Sequence, residues 1–179
     1  MENQNEPLVM PTTRSVGMKY GLILGVIGIA YFTIMSVMGM DMQSGIGRWG
    51  GLVFYIIVIF LAHKAFKDDG DSFMSIGQGT GISFWISLIS SAMSSVFTWV
   101  YIKFVDSSMI QQILDKQRET LETRGMSDTQ IEQAMSMTEK LTTPEMMLIF
   151  GLIGGVVIIT LIGLVMSLFT QNKNPDAVA

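Results

Sequence analysis

The chain has 179 residues, 49% of them hydrophobic and only 15% charged, with a mean hydropathy of +0.47, whereas an average soluble domain carries roughly 25% charged residues. There is no cysteine, which excludes a disulfide framework, a thiolate metal site and a thiol nucleophile. The formal charge of -4 is small and no basic patch points to nucleic acid.

A helix needs roughly 20 mostly apolar residues to cross the hydrocarbon core of a bilayer, and four such stretches follow one another. Residues 1–14, with "MENQNEPLVMP", are polar and predict a disordered tail. The first span is expected over 15–38; its one charge, Lys19, lies near the start and can snorkel outward. It is too long for a secretory signal peptide and lacks a small-residue cleavage site. The second span is expected over 49–66 and the third over 76–105. Between them "KDDGDSF" clusters Asp68, Asp69 and Asp71. With Asp69 and Asp71 as the first two ligands of a calcium loop, Phe73 takes the third ligand position and Met74 the place of the required glycine, so the stretch reads as a solvated turn.

The segment 106–143 predicts an extramembrane helical hairpin. Together with Pro144 and Glu145 it holds eight acidic and four basic residues, which accounts for the whole -4. Ile110, Ile113, Leu114 and Leu121 share one stripe of a first helix, and Gly125 is placed to end it. Ser127 and Gln130 have the spacing of a capping box and open a second helix whose stripe is Ile131, Ala134, Met135 and Thr138. The two stripes can close on each other, or Ile110, Leu114, Leu121, Ile131 and Met135 can meet a partner or the bilayer surface. No proline or glycine lies between Gly81 and Arg124, so the first hairpin helix is also able to continue the third span. "TTPE" then opens a fourth span over 144–170, with Thr143 as cap, Pro144 at the first helical position and Glu145 at the positive end of the helix dipole. Residues 171–179, "QNKNPDAVA", predict a second disordered tail.

Tyr20, Trp49, Trp99 and Tyr101 fall near the expected span ends, where amphipathic rings favour the headgroup level. Arg14, Lys19, Lys64, Lys67 and Lys173 flank one side of the spans and only Arg48 the first connector, which predicts both termini in the cytoplasm. Lys103, Lys116, Arg118, Arg124 and Lys140 then face outward among acidic residues.

Inside the spans the pattern is one of packing. Gly17, Gly21 and Gly25 recur four apart, as do Ser83, Ser87, Ser91 and Ser95, and Gly151 with Gly155. Small residues let backbones approach closely in lipid, either within one bundle or across an oligomer. No Asp, Glu, Lys or Arg sits at a span centre, and His63, the single histidine, lies beside Lys64 at the end of the second span, where it reads as interfacial. No catalytic residues, cofactor or metal ligands are assigned. Sixteen methionines stand out, with Met35, Met38, Met40 and Met42 together in "MSVMGMDM", and Met135, Met137, Met146 and Met147 on the same expected side. Thioethers suit Cu(I) but serve equally as flexible filler.

The stretches "MKYGLILGVIGIAYF", "SFMSIGQGTGISFWISLISSAMSSVFTWVYIKFVD" and "SDTQIEQAM", followed by a glycine-rich last span, resemble the bacterial integral-membrane family catalogued as domain of unknown function 4199. The resemblance runs from about Gly17 to the end of the fourth span. In that family the third span typically ends in an aromatic, lysine-containing segment followed by Asp-Pro; here Asp106 is followed by Ser107, which loosens the expected helix break. The resemblance implies a four-span bacterial inner-membrane protein and brings no activity, cofactor or functional residue with it.

The expectation is therefore an all-α, four-span transmembrane bundle with an extramembrane hairpin between spans three and four. It is expected to act as a non-enzymatic accessory or interaction component. The alternative is a small transport or soft-metal (copper) handling protein. Its partners are the lipid bilayer, a membrane or envelope protein met through the hairpin, or a second copy of itself, and not nucleic acid.

Overall fold

The computed structural model describes residues 10–40 and 44–173. Among these the chain forms six helices: α1 Thr13–Val37, α2 Gly45–Asp68, α3 Ile76–Phe104, α4 Ser108–Thr123, α5 Asp128–Leu141 and α6 Pro144–Thr170. The only extended pairing described is one isolated antiparallel bridge, Met74 to Asn172. The span-length helices Thr13–Val37, Trp49–Asp68, Ile76–Phe104 and Pro144–Thr170 are long and apolar enough to cross a membrane.

Capping explains where these helices differ from the expected limits. Thr12 Oγ1 accepts from Ser15 N at 3.0 Å and Ser15 Oγ accepts from Thr12 N at 3.1 Å, so α1 begins at Thr13 and takes the last residues of the expected N-terminal tail into the helix. The rest of that tail, 1–9, lies outside the described residues. Ser44 Oγ accepts from Gly47 N at 3.2 Å and starts α2 four residues before Trp49. Ser75 and Gln78 cap α3 reciprocally, at 3.2 and 2.8 Å.

A continuous helix from the third span into the connector does not form. After Phe104, Asp106 Oδ1 accepts from Ser108 N at 3.0 Å and from Ser108 Oγ at 2.6 Å. The aspartate thereby offers the backbone an alternative to another helical turn, and α4 starts afresh at Ser108. At the far end of α4, Gly125 takes φ +73, a left-handed conformation that favours glycine. Gln130 Oε1 then accepts from Ser127 N at 3.0 Å at the start of α5, and Thr143 Oγ1 accepts from Met146 N at 3.2 Å at the start of α6.

The chain divides into two compact units, one built from Met1–Ser90 and Val156–Ala179, the other from Ser91–Gly155. In the first unit Leu24, Val58, Ile59, Ala62, Phe66, Ile82, Ile86 and Ile159 form a buried cluster that draws on all four span-length helices. Its outer faces are equally apolar: Val26, Phe60 and Leu161 are among many large side chains more than half exposed. Such a surface is costly in water and matches the apolar solvent of a bilayer. The bridge also orders Asn172, within the expected C-terminal tail, while 174–179 lie outside the described residues. Met74 N donates to Asn172 O and Asn172 N to Met74 O, both at 2.9 Å, and Met74 is buried. In the second unit Leu121, Ile131 and Met135 are buried together, with Leu114, Met126 and Ala134 packed against them, so α4 and α5 share one apolar cluster.

Candidate functional site

The most polar point in the interior of the first unit is His63. It is 0% exposed, enclosed by neighbouring helices near the end of α2. The physical reason is helical phase. His63 lies one turn from Ile59 and Phe66 on the inward face of α2, while Lys64, one residue on, is turned outward and exposed.

An imidazole enclosed in this way must be satisfied by neighbouring helices, because its own helix has no spare backbone groups. Nε2 lies 3.0 Å from Gly79 O and 3.3 Å from Ser83 Oγ on α3; Nδ1 lies 2.8 Å from Thr170 Oγ1 at the end of α6. A carbonyl oxygen can only accept, so Nε2 carries a proton and donates it to Gly79 O. Ser83 Oγ itself donates to Gly79 O at 3.0 Å, and Thr170 Oγ1 is within 2.9 Å of Met166 O. Lys67, one turn beyond His63 on α2, donates from Nζ to Thr170 O at 2.9 Å. The cluster therefore joins α2, α3 and the last turn of α6.

Small residues create the space for it. A Cβ on Gly79 would stand 2.5 Å from Ser167 Oγ and 3.2 Å from Met74 Cε. One on Gly163 would fall on the Cβ and Oγ of Ser83. Ser87 Oγ and Thr160 Oγ1 are 3.0 Å apart. Each step of four residues up α3 meets a step of about four down α6, an antiparallel register of serine against glycine. In the second unit the same register pairs Ser91 with Gly155 and Ser95 with Gly151. Ser91 Oγ is buried without a hydrogen-bond partner, against the Gly155 backbone. On α1, Gly17 lies against Trp85 and Ile82, and Gly21 against Ile86 and Ile89; Gly25 is buried. The four serines Ser83, Ser87, Ser91 and Ser95 are all buried.

The expected interaction residues of the connector are placed differently from one another. Leu121, Ile131 and Met135 are buried in the α4/α5 cluster with Leu114 packed on it, and Ile110 is half-buried. The outer faces carry exposed Asp115, Glu119, Glu122, Asp128, Glu132 and Glu139. Of the methionines around the end of α1, Met35 is buried while Met38 and Met40 are exposed, and Met42 lies outside the described residues. Among the described residues no three His, Cys, Asp or Glu side chains are grouped as a metal site.

The four-residue spacing of the serines marks Ser83 as a packing residue and gives no sign of Thr170, Gly79 or Ser167. A signal for His63 was present in the period of Ile59, Ala62 and Phe66 around it. Thr170 lies 107 residues from His63 along the chain, and no local pattern announces such a pairing.

These features define an all-helical protein with four membrane-compatible helices and a histidine enclosed among hydroxyls. The chain belongs to the family described as protein of unknown function DUF4199, whose family model matches residues 19–172, from within α1 to the Met74–Asn172 bridge. No significant match is found among curated proteins or among solved structures.

Proposed function

We propose that this chain is a non-enzymatic multi-pass protein of a bacterial inner membrane, with both termini in the cytoplasm. In this reading it serves as an accessory component that meets a partner through the water-facing sides of the α4–α5 hairpin. The observation that carries the reading is how the two kinds of surface are used. The small-residue faces of α1, α3 and α6 are spent on close packing inside the chain. The α4/α5 stripe is likewise closed on itself, which leaves outward a charged surface in which six exposed carboxylates outnumber the exposed Arg118, Arg124 and Lys140. A partner would therefore be recognised by charge, through a basic face, and the buried Leu121, Ile131 and Met135 hold the hairpin's shape.

The test is photo-crosslinking in native membranes from a reactive residue at exposed Glu119. Support is reproducible capture of one membrane or envelope protein, abolished by the triple change Glu119→Lys, Glu122→Lys, Glu132→Lys. Capture of only the same chain would replace this reading with a homo-oligomer. Capture of nothing would shift weight to the competing transport or copper-handling reading, in which substitutions at Ser87, Ser91 or Met35 change uptake. Because the chain has no cysteine, orientation is tested by single cysteines at Glu119 and Lys173. An impermeant maleimide should label the first in intact cells and the second only after permeabilisation.

A further inference from the structure

We propose that His63 is a proton-binding site that controls a latch on the C-terminal end of α6: the latch is closed when Nδ1 is free and released when Nδ1 takes up a proton. Such a latch goes beyond the accessory reading and does not depend on it.

The two ring nitrogens face different worlds. Nε2 points at Gly79 O and Ser83 Oγ, both on buried residues, and its proton is fixed because a carbonyl cannot donate one. Nδ1 points at Thr170 Oγ1, on a residue that is half-buried at the end of its helix. Proton exchange with water therefore runs through the Thr170 side.

Thr170 is built to serve either state of the ring. With Nδ1 unprotonated, the Thr170 hydroxyl donates to it at 2.8 Å. With Nδ1 protonated, the ring donates instead, and the hydroxyl turns its hydrogen to Met166 O at 2.9 Å. One hydroxyl rotation thus accommodates one proton, and no ring nitrogen is left unpaired in either state.

The charge is accommodated less easily. Lys67 Nζ lies on the same turn of the site and donates to Thr170 O at 2.9 Å. The other charged groups on the elements packed here are Arg14 and Lys19 on α1, Arg48, Lys64 and Asp68 on α2, Asp69 and Asp71 in the following loop, and Lys173 past α6; α3 up to Ser90 and α6 from Val156 carry none. Among the described residues neither His63 nor Lys67 has a carboxylate partner. A proton on His63 therefore places a second cation beside Lys67 in an apolar interior. Moving Lys67 off Thr170 O into water relieves the repulsion. That contact, the Thr170 hydroxyl and the Met74–Asn172 bridge, together with Asn172 Nδ2 donating to Ser72 O at 2.8 Å, fasten the end of α6 to the α2–α3 loop. By linkage, the state that binds the proton more readily is the released one, so acidification favours release.

A single histidine makes the test direct. Full-length chain with 15N-labelled imidazole is studied in nanodiscs of phosphatidylethanolamine and phosphatidylglycerol between about pH 8 and about pH 5, the interval in which histidine is the natural switch. The expected result is an Nε2–H tautomer at the alkaline end, with Nδ1 alone converting on acidification. Over the same interval the protection of the Met74 and Asn172 amides, taken relative to the base-catalysed intrinsic exchange rate at each pH, should fall by about tenfold, the factor that corresponds to one unit of difference in proton affinity between closed and released states. His63→Gln should abolish that pH dependence. Thr170→Val should speed exchange at all pH values while leaving the ring able to titrate. An Nδ1–H tautomer at the alkaline end, a ring that does not titrate, or exchange at Asn172 that ignores the titration would each overturn the proposal.

Discussion

Adding one methyl group at Gly163 separates packing by contact from packing by composition. A Cβ there falls on both the Cβ and the Oγ of Ser83, whose backbone is fixed in α3 and whose hydroxyl is engaged with Gly79 O at 3.0 Å. Neither atom can step aside without moving a helix. Overpacking of this kind costs about 1–3 kcal/mol, against which glycine to alanine in a helix returns up to about 1 kcal/mol. The net expectation for Gly163→Ala is a loss of about 1–2 kcal/mol. Gly154, with nothing within 4 Å of its added Cβ, should show only the gain. Gly151 falls between them, since its Cβ would stand 2.9 Å from Ser95 Oγ but 3.7 Å from Ser95 Cβ, so a rotating hydroxyl relieves most of the strain. The assay is reversible unfolding in mixed lipid–detergent bicelles with rising dodecyl sulfate, followed by circular dichroism. Ser83→Gly should rescue Gly163→Ala through a favourable coupling of about 1 kcal/mol or more, whereas Ser83→Ala, which keeps the Cβ, should not. Equal stability of the 163 and 154 variants, or no coupling to Ser83→Gly, would refute the assigned register of α3 against α6.

Three further outcomes follow from other parts of the chain. Ile131→Asp puts a carboxylate into the α4/α5 cluster and should cost about 2 kcal/mol or more, seen as lost hydrogen-exchange protection over 108–141; exposed Glu119→Lys should stay within about 0.5 kcal/mol. Gly125→Ala forces a side chain to φ +73 and should destabilise the same segment by about 1–2 kcal/mol. Lys103→Ala removes the 3.0 Å pair with Glu145, but both side chains are about half exposed, so the unfolding midpoint should stay where it is within the error of the assay.

The four span-length helices were legible because length and apolarity alone define them, and two of their starts moved where a hydroxyl caps the helix, at Thr12 and Ser44. The cluster of Leu121, Ile131 and Met135 was legible from its helical period. The start of the connector at 106 was legible, and of the two courses the sequence allowed there the chain takes the break and not the continuous helix, because the Asp106 side chain replaces a backbone bond. The phase of Ile59, Ala62 and Phe66 marks His63 as enclosed, a sign that its charged neighbour Lys64 obscures. Thr170, Ser167 and Gly79 carry no local mark of their role, since it arises only when the ends of α2, α3 and α6 meet.

The difference between the serines and His63 explains why one polar feature of the interior reads as packing and the other as a site. Serine in a helix can return its proton to its own backbone: Ser83 to Gly79 O, Ser87 to Phe84 O at 2.7 Å and Ser90 to Ile86 O at 2.8 Å. Ser167 does the same to Gly163 O at 2.6 Å. Each hydroxyl is thus satisfied before any other helix arrives, and it remains small enough to sit against glycine. A row of such residues costs little in lipid and needs no water beside it. An imidazole has no such recourse. Its two nitrogens reach past the neighbouring turn, so its burial depends on acceptors and donors that other helices bring, and on glycines that let those helices come close. The same Ser83 and Gly79 that close the α3/α6 seam also receive Nε2, which means that the packing register and the tautomer of His63 are set by one arrangement of atoms. Nδ1, which meets a rotatable hydroxyl at a helix end, is the one ring position the packing leaves free to change.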